Sequence, residues 1–212
     1  MSTHTFSILL AGDLVVTDRV RGLVAGSRVI AADGGIAHAG ALGVEPEVWI
    51  GDFDSSDAAL QVRFAHVERQ AHPVGKDATD GELAVDEALR RGAERLVLAG
   101  GFGGRSDHLM QHMAHVVALA ERGVKLVMTS GVEEAHPVLA GKTVVDVPEG
   151  STFSIIPFGD LGGLSLGNVD WPLAARDVPF GSSLTMSNVA RGRIEVGLAR
   201  GRAVLIVAVS AG

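Results

Sequence analysis

The chain has 212 residues, 47% hydrophobic and 20% charged, enough for a sizeable core in one large or two small domains. No apolar run reaches the roughly 18 residues of a membrane span, and the segment Met1–Phe6 lacks a basic stretch followed by a long apolar one, so neither a membrane partner nor a secretory signal is expected. Zero cysteines exclude disulfides and thiolate sites, and a net charge of −7 argues against a nucleic-acid partner while permitting a phosphate ligand, so a cytoplasmic enzyme is expected.

Short apolar runs alternate with amphipathic segments over the first 130 residues or so, the pattern of a parallel sheet covered by helices. Strands are expected at Phe6–Leu10, Arg28–Ala32, Val48–Gly51, Arg95–Ala99 and Lys125–Thr129. Leu96-Val97-Leu98-Ala99 is apolar without alternation, as in a strand buried on both faces. Helices are expected after Asp57, Thr79 and Ser106, with Gly92 and Gly123 as stops. Beyond about residue 135 the runs shorten and turn signals multiply. Strands are expected at Thr143–Val147, Thr152–Pro157, Leu164–Val169, Ser183–Ser187, Arg193–Leu198 and Ala203–Val209, with turns at Pro148-Glu149-Gly150, Gly162-Gly163 and Arg191-Gly192. That texture predicts an antiparallel β-sandwich or barrel. The expected organisation is therefore an α/β domain over residues 1–132, a link through Glu133–Pro137, and a β domain over 138–212.

Three polar signatures fall where buried strands end, the place where open α/β sheets bind ligands. The first is Gly51-Asp52-Phe53-Asp54-Ser55. In extended chain Asp52 and Asp54 share a face with Cα atoms roughly 6.5–7 Å apart, so both carboxylates can address one magnesium ion or an adjacent pair. Asp54-Ser55-Ser56-Asp57 also reads as a helix cap, but a cap needs one oxygen, and Asp57 supplies it. Upstream, Ile30–Gly35 repeats the arrangement, with Asp33 as a further oxygen donor and Gly34 allowing close approach; a tight strand-to-helix turn accounts for it equally. Gly12 and Asp13 permit the same two readings.

The second signature, Lys76-Asp77-Ala78-Thr79-Asp80, contains a capping box formed by Thr79 and Glu82. The box leaves Lys76, Asp77 and Asp80 unexplained. Lys76, one of three lysines beside fifteen arginines, suits a phosphate as a point charge. In the third, Gly100–Gly104 leads through Arg105 and Asp107 to His108. Glycine turns that enter a helix N-terminus cradle anions, and Arg105 adds planar donors. His108, His112 and His115 share a helix face but lack the Glu of a zinc motif, so a helix surface or core histidines are the expectation. Trp171 reads either as core or as a platform for a cationic or aromatic ring, and Ser187-Asn188 either orients a heterocycle or caps a turn; Trp49 reads as core.

Taken together, Ala32-Asp33-Gly34-Gly35, Gly51–Ser55, Lys76-Asp77-x-Thr79-Asp80, Gly103-Gly104-Arg105-x-Asp107-His108, Trp171-Pro172-Leu173, Phe180-Gly181 and Ser187-Asn188 resemble the thiamine pyrophosphokinase family over nearly the whole chain. The resemblance implies a catalytic α/β domain with a C-terminal antiparallel β-sandwich, working as a homodimer with the active site between subunits. It implies transfer of diphosphate from ATP to the thiamine hydroxyl, giving thiamine diphosphate and AMP. Asp33, Asp52, Asp54 and Asp80 would hold Mg2+; Asp33, Gly34, Lys76, Thr79, Gly104, Arg105 and His108 would line ATP; Asp52, Asp54, Asp80, Arg105 and Asp107 would serve catalysis. Trp171, from the partner subunit, would stack on thiamine near Ser187 and Asn188. Either Asp54 or Asp80 would accept the proton. Two departures touch the nucleotide edge: Gly75 replaces the family's usual acid, and His112 its usual asparagine. Two alternatives remain: a diphosphokinase for another heterocyclic alcohol such as a hydroxymethylpterin, and a non-catalytic thiamine or nucleotide sensor.

Overall fold

The computed structural model describes residues 4–53, 57–71 and 78–209. The chain forms two compact units, Met1–Arg105 with Thr129–Gly131, and Ser106–Met128 with Val132–Gly212.

The first unit alternates strand and helix. It runs β1 (Thr5–Leu9), α1 (Asp18–Val24), β2 (Arg28–Ala32), a 3-10 turn (Asp33–Ala37), α2 (His38–Leu42), β3 (Val48–Gly51), α3 (Ala58–Arg63), β4 (Glu68–Ala71), α4 (Asp80–Arg90) and β5 (Arg95–Ala99). These strands pair in parallel in the order β5-β1-β2-β3-β4. Apart from β4, their side chains are buried on both faces, Phe6, Ile8, Ile30, Ile50 and Leu96 fully so, as a helix-covered parallel sheet requires. The helices start where their caps say. Thr17 Oγ1 accepts from Val20 N, and an Asp57 carboxylate oxygen accepts from Ala59 N. Thr79 and Glu82 close the expected capping box, Thr79 Oγ1 accepting from Glu82 N and the Glu82 carboxylate from Thr79 N. Strand β4 carries no apolar signal, Glu-Arg-Gln-Ala, and sequence reading misses it. It exists because it pairs with β3, and its polar exposure suits a strand with one neighbour in this unit.

The second unit contains α5 (Ser106–Glu121), β6 (Lys125–Thr129) up to Met128, β7 (Glu133–Val145), β8 (Thr152–Pro157), β9 (Leu161–Val169), β10 (Leu173–Val178) and β11 (Asn188–Ala208). β11 pairs antiparallel with β7 and β9, β9 antiparallel with β10, and β8 also joins β11. Phe153, Ile155, Leu164, Ile194, Val196 and Leu205 are among the side chains that fill its core. The antiparallel C-terminal architecture is as expected, but several boundaries are not. Glu133–Pro137, expected as a link, opens β7, with Glu134 opposite Val207 and His136 opposite Leu205. Arg193–Leu198 and Ala203–Val209, expected as two strands, are joined in the single strand β11, which ends at Ala208 and continues through a register shift between Leu198 and Arg202. Gly192, expected in a turn, sits inside β11 at φ +83, where its left-handed backbone makes an irregularity instead of ending the strand. Gly162–Gly163 likewise lies within β9. Ser183–Ser187, expected as a strand, is irregular: Met186 N donates back to Ser183 O, and only Thr185 is buried, donating to Ile155 O.

Candidate active site

Parallel pairing puts the C-terminal ends of β1, β2, β3 and β5 on one edge of the first unit. Leu9 lies opposite Ala31 and Ala99, and Ala32 opposite Ile50. Chain order reverses between β1 and β5, so this edge contains the topological switch point where α/β sheets take ligands. Gly12 N donates to Gly100 O and Asp13 N to Phe102 O, keeping the two chains zipped beyond their strands. His38, which sequence reading overlooked, donates from Nε2 to Gly12 O (3.0 Å) and braces the same turn. Gly103, at φ +73, lies so close to the Asp13 carboxylate that a Cβ there would collide with it.

The acids sit around this edge. Asp33 follows β2 with φ +42, a left-handed conformation that costs a non-glycine residue about 1 kcal/mol or more. Trp49 Nε1 donates to its carbonyl oxygen at 2.9 Å. Gly51 approaches so closely that a Cβ on it would stand 3.3 Å from Asp33 Cα, which brings the β2 and β3 ends together. Asp52 follows directly, and the next residue, Phe53, is again left-handed at φ +62. Two strained non-glycine residues at neighbouring acidic strand ends mark a place where the fold holds the backbone against its preference.

Asp80 reaches the same edge by another route. The C-terminal end of α4 is tied to the opposite edge, where Arg91 meets Glu68 at the start of β4 (3.0 Å) and Glu47 just before β3 (3.7 Å). The helix therefore runs antiparallel to the strands, and Thr79 and Asp80 at its N-terminus face the carboxyl ends. Asp33, Asp52 and Asp80 thus lie along the same edge as the glycine turns and Gly34. Among the described residues no group of three or more His, Cys, Asp or Glu stands close enough to hold a metal ion. Asp54 and Lys76 lie outside the described residues.

Gly104, at φ +65, and Arg105 end the main stretch of the first unit. Asp107 and His108 open α5 in the second unit, the Asp107 carboxylate accepting from His108 N at 3.0 Å. His108 and His112 meet edge to face at 6.4 Å between ring centroids. Trp171, between β9 and β10, is 61% exposed, so it is no core residue; Phe180 is 68% exposed. Asn188 is buried and clasps the Trp171 peptide from both sides. Its Oδ1 accepts from Trp171 N (3.1 Å) and Val189 N (2.8 Å), and its Nδ2 donates to Trp171 O (2.8 Å). Ser187 is left-handed at φ +58, its N–H donating to Ser154 Oγ. The second unit therefore presents an indole face on a backbone fixed by Asn188.

A parallel α/β unit with acids and glycines at its carboxyl edge, followed by an antiparallel unit displaying an exposed aromatic, is the class of architecture this chain presents. Residues 23–128 match the family description "Thiamin pyrophosphokinase, catalytic domain", and residues 142–201 match "Thiamin pyrophosphokinase, vitamin B1 binding domain". The thiamine pyrophosphokinase of Bacillus subtilis (strain 168) is 27% identical over 150 residues, covering 69% of this chain and 70% of the relative. The same fold occurs in the crystal structure of the Bacillus subtilis enzyme (TM-score 0.87, 23% identity, 98% of this chain and 100% of that one). It also occurs in thiamin pyrophosphokinase from Candida albicans (TM-score 0.82, 12% identity, 98% and 90%). The chain belongs to the thiamin pyrophosphokinase family and is an enzyme of that class, one that forms thiamine diphosphate.

Proposed function

We propose that this chain transfers the β,γ-diphosphate of ATP to the hydroxyl of thiamine by direct attack on the β-phosphorus, releasing AMP. The observation that supports this reading is that Asp33, Asp52 and Asp80 lie along the carboxyl edge of the parallel sheet, the edge that also carries the glycine turns. An all-oxygen donor set suits magnesium, which takes a few carboxylates and leaves room for phosphates and water. Asp33, Asp52, Asp54 and Asp80 would hold it. When bound, magnesium neutralises the charge between aspartates and triphosphate and stabilises charge that develops during transfer. The protein's own part is alignment. Lys76, Thr79, Gly34, Gly104, Arg105 and His108 grip the nucleotide. Asp52, Asp54, Asp80, Arg105 and Asp107 hold the reacting oxygens in line, and Asp54 or Asp80 takes the hydroxyl proton. Such transfer needs no phospho-enzyme.

Thiamine is cationic with two aromatic rings, so an exposed indole suits it. Trp171 supplies that face, with Ser187 near it and Asn188 holding its peptide. The enzyme works as a cytoplasmic homodimer in which Trp171 of one copy completes the acidic site of the other. The domains are taken as 1–132 for catalysis and 138–212 for thiamine. Competition in one Mg-ATP assay tests the acceptor: thiamine is expected to be consumed in preference to a hydroxymethylpterin, and the reverse order would overturn the assignment. In the same assay Asp54→Asn is expected to abolish turnover while leaving thiamine affinity intact. Turnover within a few-fold of the parent would remove Asp54 from the metal set.

A further inference from the structure

Trp49 has a second set of contacts that its burial in β3 does not require. Its indole N–H donates to Asp33 O at 2.9 Å, across to the end of β2. Its ring meets Phe53 edge to face at 5.0 Å, on the far side of Asp52. Arg69, its partner across the β3–β4 pair, lies 5.2 Å from the Trp49 ring and 5.6 Å from the Phe53 ring. Arg69 also donates to Gln61 O on α3 at 2.8 Å, and Gln61 Nε2 reaches Phe53 O at 3.4 Å. The two residues held at their carbonyl or ring, Asp33 beside Gly51 and Phe53 directly after Asp52, are both left-handed non-glycine residues. Strained backbone persists only where its surroundings over-determine it, and these contacts are among those that hold it.

We propose that Trp49, with Arg69 behind it, is a positioning residue that locks the Asp33 and Asp52 turns into the arrangement needed to bind a divalent cation with nucleotide. It touches neither substrate nor cation. This rests on the metal role proposed for those acids, and its purpose is to fix two independent turns relative to each other. Each turn holds a left-handed non-glycine residue that costs about 1 kcal/mol or more. One N–H to the Asp33 carbonyl and one ring edge on Phe53 join them through a single rigid side chain. A bulky apolar residue in place of tryptophan would fill β3 equally well and lose the first of these links.

The test is Mn2+ binding by electron spin resonance in the presence of α,β-methylene ATP, whose α–β bridge resists cleavage. The parent is compared with Trp49→Phe, Arg69→Met and Asp52→Asn. Trp49→Phe keeps the ring against Phe53 and removes the N–H. It is expected to bind Mn2+ about tenfold more weakly, the worth of a buried hydrogen bond. Its kcat should fall in parallel, while the KM for thiamine stays within about twofold and the Tm falls by only a few degrees. Arg69→Met lies on the surface and keeps the fold; a smaller loss in the same direction is expected, and it decides the matter should Trp49→Phe not fold. Mn2+ affinity within about twofold of the parent in these variants, with Asp52→Asn much weaker, overturns the positioning role alone. Parent-like affinity in Asp52→Asn overturns the metal reading, and the inference with it.

Discussion

Single side chains in this protein do their work through backbone they hold in place. Asn188 is the clearest case: both ends of its amide are spent on the Trp171 backbone and on Val189 N, so in the proposed thiamine site it would act through the indole. Trp171→Ala is therefore expected to raise the KM for thiamine by about tenfold or more with a smaller effect on kcat, the loss of a cation–π and stacking contact. Asn188→Ala should reproduce that KM effect with the indole still present, and steady-state kinetics at saturating ATP separates the two. An unchanged KM in Trp171→Ala would remove the tryptophan from the thiamine site. At this scale the sequence was informative about residue type and poor about partners. The acids at strand ends were legible because Asp, Gly and Ser after an apolar run have few other uses. The Trp49–Asp33 bond, the Arg69 stack and the His38 brace were not, because each joins residues from different strands or turns and leaves no local pattern.

Among the elements, α4 carries both ends of the site's support. Its N-terminus presents Asp80 through a capping box, and Thr79→Ala is expected to cost about 1 kcal/mol of stability in urea melts. Its C-terminal end is pinned by charge. Hydrogen bonds from Arg90 hold the Glu87 carboxyl down to about 2 from its ordinary 4.5, with further help from Arg91 and Gln70 against the opposing effect of burial. Glu47 is lowered mainly by Arg28, and Glu68 by Gln70 and Arg91. A carboxyl whose pKa is depressed on folding stabilises the folded state above its unfolded value. That contribution is complete above pH 4.5 and is lost as pH falls toward 2. Glu87→Gln is thus expected to destabilise the protein at neutral pH by about 2 kcal/mol and to converge on the parent in strong acid. A pH-independent difference in thermal melts would contradict this. The same helix shows what was readable: Thr79, Glu82 and Gly92 marked its limits because capping is local chemistry. Strand β4 and the continuity of β11 were unreadable because they are decided by pairing with β3, β7 and β9.

For the whole molecule, the net charge of −7 and the family assignment frame one question, how a cationic acceptor and an anionic donor meet. The acids of the first unit and the exposed Trp171 of the second belong to one reaction only if a site draws on both. The proposed sharing of sites in a dimer makes a quantitative expectation. Asp52→Asn and Trp171→Ala, each nearly inactive at low thiamine, should recover about a quarter of the parental activity when their subunits are exchanged, since half the dimers are mixed and each has one intact site. No recovery after verified exchange would place both residues in sites made within a single chain. The central claim, diphosphate transfer in one step, is tested most directly by 31P NMR of the products formed from thiamine, ATP and magnesium. AMP and thiamine diphosphate in equal amounts are expected from the first turnovers. ADP with thiamine monophosphate, or ATP hydrolysis that leaves thiamine untouched, would contradict it.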